Sequence, residues 1–159
     1  MTFLLPAHTH LRQGQWTGPA AASVSLTYDE RLMRRRRLET TAGGLMVDLG
    51  ETVSLNPGDA LRTEDARIVE IEAADEPLVR VSGDLARLAW HIGNRHTPCQ
   101  IDADTLTIRQ DHVLEAMLLQ LGASLTRVMA PFRPEGGAYG MGRTFGHDHG
   151  PNGFPHAHP

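Results

Sequence analysis

Nine histidines are the residues of this chain best suited to do chemistry, and four of them, His147, His149, His156 and His158, crowd into the final stretch HDHGPNGFPHAHP. Glycine and proline dominate that stretch, which therefore offers no apolar face from which to build a core. Imidazole is the commonest protein ligand for late first-row transition metals, and it coordinates as the neutral base, abundant near pH 7 because its ordinary pKa is about 6.5. Histidine concentrated in such a segment points to metal handling. The alternation of His-x-His with Asp, Pro and Gly also differs from the unbroken histidine run of a purification tag.

The other histidines differ in promise. His96 closes Gly93-Asn94-Arg95-His96, a short corner between an expected helix and an expected strand, where a side chain projects from a rigid scaffold. One imidazole holds a metal weakly, since Zn²⁺ or Ni²⁺ takes four to six donors. A two-fold dimer with His96 near its axis would present two, and the tails would supply more. His112 falls in the first turn of a second expected helix, where the helix dipole favours the neutral, metal-competent imidazole. An exposed first-turn residue without a ligand fits that position equally well. His91 reads as a helix-flank residue, and His8 with His10 as a His-x-His near an end expected to fray, which disfavours ligation at all three. Cys99, within TPCQI, reads as a small buried hydrophobe in a strand rather than as a thiolate ligand.

Positioning these groups takes two kinds of scaffold. Between Ser23 and Ile71 the runs VSLTY, Arg37 to Thr41, LMVDLG, TVSL and RIVEIEA are each of strand length, separated by Gly43-Gly44, Gly50 and Asn56-Pro57-Gly58-Asp59. They predict two small antiparallel sheets. The run Arg34 to Arg37 starts one such strand and reads as a solvated edge that deters edge-to-edge pairing rather than as an RNA or phosphate patch. Asp75-Glu76-Pro77 reads as a linker, and Leu78 to Val81 as a strand. A helix capped by Ser82 or Asp84 then carries Leu85, Leu88, Ala89 and Ile92 on one face and stops at Gly93-Asn94. Pro98 to Ile101 and Leu106 to Arg109 pair across the turn Asp102-Ala103-Asp104. A second helix beside Asp111 aligns Leu114, Met117, Leu118 and Leu121 before Gly122, and Leu125 to Met129 closes the set. The order β-α-β-β-α-β predicts a ferredoxin-like arrangement, with two helices on one face of a four-stranded sheet. The expectation is an α+β chain: an N-terminal all-β two-sheet domain over residues 1–74, a ferredoxin-like βαββαβ domain over residues 75–135, and a flexible, disordered His-rich tail over residues 136–159. Nothing after Pro131 carries enough apolar residues to fold alone.

Composition narrows the function. A chain of 159 residues and 17.4 kDa, 40% hydrophobic and 21% charged, suits one ordinary domain or two small ones. The formal net charge of -4 gives no reason to expect nucleic acid or an anionic membrane as partner. All 15 basic residues are Arg, which excludes Schiff-base chemistry and a P-loop lysine. Cys99 is the single cysteine, so an internal disulfide is ruled out and a reducing compartment fits. The start MTFLLPAHTHLRQG is too short in apolar residues for a signal-peptide core, and no later run approaches a membrane span, so a soluble cytoplasmic protein is expected. No GxSxG, HExxH or phosphate-binding glycine loop occurs, which argues against an enzyme.

The segments LARLAWHIGNRHTPCQI, DHVLEAMLLQLGA and PFRPEGGAYG, in that order and spacing, resemble the urease accessory nickel metallochaperone family, UreE, over about half of the chain. The resemblance implies an N-terminal β domain similar to peptide-binding domains of co-chaperones, a ferredoxin-like second domain, and a homodimer joined through the C-terminal domain. It implies Ni(II) as cargo, with Zn(II) or Cu(II) able to occupy the same imidazoles. His96 matches the family's central metal-binding histidine, which pairs with its counterpart across the dimer. His112 matches an accessory metal position of some members, and the tail matches a feature of variable length and composition. The implied partners are the urease accessory GTPase and the urease maturation complex. A histidine-based Ni/Zn/Cu buffer or sensor without a dedicated recipient would satisfy the histidines alone, but it leaves the GNRH-x-P corner unexplained. An RNA-binding module of the same element order is disfavoured, because QIDAD and LTIRQ lack the aromatic residues on which bases stack.

Overall fold

The computed structural model describes residues 4–136, which form ten strands, two α-helices and a 3-10 turn at Asp29–Arg31. The described residues divide into two compact units, 4–77 with 129–133, and 78–128 with 134–136. The first contains β1 (Ala7–Leu11), β2 (Ala22–Leu26), β3 (Leu32–Thr40), β4 (Gly43–Ser54), β5 (Ala60–Thr63) and β6 (Ile68–Ala73). Among the described residues no helix is long and apolar enough to cross a membrane.

Instead of two antiparallel sheets, the first unit forms one six-stranded mixed sheet in the order β2-β6-β5-β1-β4-β3. The turn signals foresee only hairpins, and β3 with β4 and β5 with β6 are indeed antiparallel neighbours. The parallel pairs β1–β4 and β2–β6 join strands far apart in sequence, which no local turn residue announces. The two outer strands approach each other: Ser23 N–H donates to Thr41 Oγ1 and Thr41 N–H to the Ser23 carbonyl, both at 3.0 Å. Strand alternation turns Leu45, Val47 and Leu49 inward, where they share one core with Val24, Leu38, Leu61, Val69 and Ile71.

Two further expectations shift. Gly50 does not separate two strands but lies inside the single strand β4, where the pairing passes from Met33↔Val53 to Arg35↔Asp48. There β3 advances by two residues and β4 by five, an extrusion next to which glycine is commonly found. The AHTHL segment, expected to fray, is β1, an interior strand between β4 and β5. Its polar composition hides it; Ala7, with no exposed surface, supplies its fixed point in the core.

Arg34 to Arg37 lie in β3, the outermost strand, with Arg34, Arg35 and Arg37 exposed. Arg36 folds back to donate to the Glu30 carbonyl at 2.6 Å and the Leu32 carbonyl at 3.5 Å. Charged side chains along an outer strand accord with the edge-guarding reading of the run.

Arg31 behaves differently. It is 2% exposed, and its guanidinium donates to the Leu26 carbonyl at 3.0 Å and the Phe132 carbonyl at 2.6 Å while lying 5.8 Å from the Tyr28 ring centroid. Tyr28 meets the fully buried Phe132 edge to face at 5.5 Å, and its N–H donates to buried Glu76 Oε2 at 2.8 Å. The segment after Pro131, expected to hold too few apolar residues to fold alone, contributes Phe132 to the buried residues of the first unit.

The second scaffold runs β7 (Asp75–Ser82), α1 (Leu85–Asn94), β8 (Gln100–Ile101), β9 (Leu106–Arg109), α2 (His112–Gln120) and β10 (Ser124–Pro131), with its strands in the order β10-β7-β9-β8. The expected linker Asp75-Glu76-Pro77 is the start of β7, because the buried Glu76 carboxylate has a backbone donor to meet. Val79, Val81, Leu106 and Ile108 form one core with Leu88 and Ile92 of α1 and with Leu114 and Leu118 of α2. Asp84 caps α1 by accepting from Arg87 N–H. Gly122, at φ 88, ends α2: its N–H donates to the Leu119 carbonyl, and Ala123 N–H reaches back to the Leu118 carbonyl.

Replacing Arg31 by Met would leave two buried carbonyls without these donors. We expect it to destabilise the protein by about 3 kcal/mol, read as a lowered urea midpoint by circular dichroism.

Candidate metal centre

The corner that carries His96 is built by the way α1 ends. Arg95 N–H donates to the Ile92 carbonyl at 3.1 Å and His96 N–H to the Gly93 carbonyl at 3.0 Å, closing the last turn. His96 itself has φ 54, in the left-handed region. Gly122 holds the corresponding position after α2, with the same N–H to carbonyl bond three residues back. Glycine is the usual occupant because a Cβ costs about 1–2 kcal/mol there. A histidine in its place is a residue held against conformational preference, and such positions concentrate where a side chain has work to do. His96 is half-buried, and Pro98 beyond it cannot continue a helix.

His112 is the first residue of α2, and it is exposed. Asp111 caps this helix, Oδ1 accepting from Val113 N–H at 2.9 Å and from Leu114 N–H at 3.1 Å. Both expected ligands thus stand on firmly terminated helices, one just past a C-terminus and the other at an N-terminus. Among the described residues no three His, Cys, Asp or Glu side chains are grouped to hold a metal ion. His147, His149, His156 and His158 lie outside the described residues.

The remaining candidates are engaged otherwise. His8 Nδ1 lies 3.0 Å from the Asp48 carbonyl and Nε2 2.9 Å from Glu64 Oε1. Both partners are acceptors, so only the doubly protonated ring satisfies both, and an imidazolium has no lone pair for a metal. The Glu64 hydrogen bond foremost, and then the Asp48 carbonyl, raise the His8 pKa above its ordinary value. His10 is half-buried in β1, and His91 packs edge to face on exposed Trp90 with ring centroids 5.0 Å apart. Burial pushes the Cys99 thiol up to about 11, with Glu135 and Asp102 adding to the rise against a lowering hydrogen bond from Thr107. Cys99 therefore stays a neutral thiol at pH 7, packed beside the core of the second unit as a small hydrophobe. It precedes β8, which is shorter than the expected strand.

One residue escaped the reading of single histidines. Glu115, on the first turn of α2, accepts from Asp111 N–H and from Arg127. The signal was present in the spacing of Asp111 and Glu115, a variant of the reciprocal capping box.

Residues 1–74 match the family described as UreE urease accessory protein, N-terminal domain, and residues 66–158 its C-terminal domain. A urease accessory protein UreE from Cereibacter sphaeroides is 62% identical over 152 residues, covering 95% of this chain and 84% of the relative. One from Rhodobacter capsulatus is 53% identical over 152 residues, covering 95% and 97%. One from Paracoccus denitrificans is 62% identical over 127 residues, covering 80% and 82%.

Two outcomes are expected from this geometry. Between variants that both lack the imidazole, His96→Gly should be more stable than His96→Ala by about 1 kcal/mol, because only the alanine retains a Cβ at positive φ; thermal melts compare them. The His8 ring should titrate above pH 6.5 by NMR and drop towards that value in Glu64→Gln. Its folded pKa being raised, its contribution to stability is complete below about pH 6.5 and is lost as pH climbs through the folded value.

Proposed function

The chain belongs to the UreE family of urease accessory proteins, and on that premise we propose that it is a nickel metallochaperone, carrying Ni(II) as cargo to the urease maturation machinery. The observation that carries the reading is His96, held at positive φ where glycine would be free of strain. The proposed donors are His96, His112 and the tail histidines His147, His149, His156 and His158. Zn(II) and Cu(II) bind imidazole as well, so selectivity comes from geometry, metal supply and the recipient.

The proposed organisation is a β domain over residues 1–74, a ferredoxin-like domain over residues 75–135 and a His-rich tail over residues 136–159. The strand order β10-β7-β9-β8, with α1 and α2 sharing one core, supports the ferredoxin-like reading. The second unit is proposed to pair with a second copy of itself. Trp90 at 63% exposure, Val113 at 63%, Leu119 at 58% and Ile101 at 52% support this, as large apolar side chains of that unit left uncovered in one chain. Two His96 imidazoles from two copies then supply fixed donors, and the tails supply exchangeable ones.

Exchange of donors one at a time lets an ion leave without dismantling the protein. Imidazole suits this role because it coordinates neutral, so a displaced donor takes up a proton readily near pH 7. The proposed recipient is the urease accessory GTPase in the cytoplasm, and the chain's own role is to bind and hand over rather than to catalyse.

Calorimetric nickel titration, with light scattering for oligomeric state, tests this on the full chain, His96→Ala and a chain ending at Gly146. The expected result is loss of the tightest site in His96→Ala and about one ion per dimer in the shortened chain. Normal nickel binding by His96→Ala together with none in the shortened chain would overturn the shared-interface reading.

A further inference from the structure

The segment Asp111-His112-Val113-Leu114-Glu115 holds more than a helix cap. While Asp111 Oδ1 accepts from Val113 and Leu114, the Asp111 N–H donates to Glu115 Oε2 at 3.0 Å. Glu115 is 9% exposed, and its other oxygen, Oε1, accepts from Arg127 Nη2 of β10 at 3.3 Å. One carboxylate therefore ties the residue before His112 to the residue three after it, and ties both to the neighbouring strand. An anion is also favoured in this first turn by the helix dipole.

We infer that Glu115 is a positioning residue for the cargo site: it holds the backbone from which the His112 imidazole reaches the ion. This rests on the proposed role of His112 as a nickel donor. A first turn lacking the Glu115 carboxylate leaves the Asp111 N–H and the Arg127 guanidinium without these acceptors and frays more readily. The backbone under His112 must then be ordered at the moment an ion binds, which lowers affinity. With the turn closed, only the two side-chain torsions of His112 remain to be fixed.

The test is a double-mutant cycle on the full chain, titrated with Ni(II) alone. Glu115→Ala is expected to weaken the site to which His112 contributes by about tenfold and to have no effect on affinity in a His112→Ala background. A loss from general destabilisation would be the same in both backgrounds, and that result overturns the inference while leaving His112 as a donor. Unchanged binding in His112→Ala alone is a different result, and it overturns the donor role together with the inference. Arg127→Met, at a side chain 59% exposed, gives a second measurement should Glu115→Ala fail to fold. It is expected to weaken nickel binding only where His112 is present, and equal effects with and without His112 again overturn the inference.

Discussion

The guanidinium of Arg31 is withdrawn from water, and a charge in that position has to be met by fixed acceptors. The carbonyls of Leu26 and Phe132 meet it, so the end of β2, the 3-10 turn and the segment following β10 are held by one side chain. Tyr28 and Phe132 pack beside it, and Glu76 takes the Tyr28 N–H. The aromatic contact excludes the water that would otherwise solvate those carbonyls, so apolar packing and charge-assisted hydrogen bonding reinforce each other. The β core next to this cluster follows from strand alternation, whereas the Tyr28 corner is tied by the arginine.

Histidines of the two units meet different fates because of their separate surroundings. Backbone conformation fixes His96, and helix capping sets the base of His112. His8 is drawn into an ion pair with Glu64 and a bond to the Asp48 carbonyl. The same side-chain chemistry yields a candidate ligand in one place and a ring bonded to a carboxylate and a carbonyl in another. At His8 an acceptor faces each ring nitrogen, which a list of histidines does not contain.

Much of the second unit was legible because its signals are local. Asp84 and Asp111 announce helix starts, Gly122 announces a stop, and the apolar spacing of Leu88 and Ile92 picks the inward face. The His96 corner was also legible as a position, although its positive φ was not, since nothing in Asn94-Arg95-His96 distinguishes a left-handed histidine from an ordinary loop residue. The first unit yielded less. Its sheet joins β1 to β4 and β2 to β6 across long intervals, and β1 shows too few apolar residues to declare itself a strand. Nothing local to Arg31 marks it as buried, and its partner Phe132 lies far along the chain.

That separation bears on how the protein comes off the ribosome. The first unit is discontinuous, because Met129–Arg133 belongs to it although the whole of Leu78–Val128 is made in between. Arg31 and Phe132 are 101 residues apart, so at usual rates of synthesis about 5–20 s pass between them. During that interval the Tyr28 corner lacks the ring and the carbonyl that Phe132 brings to it. The first unit is thus begun before residues 78–128 of the second and receives Phe132 after them.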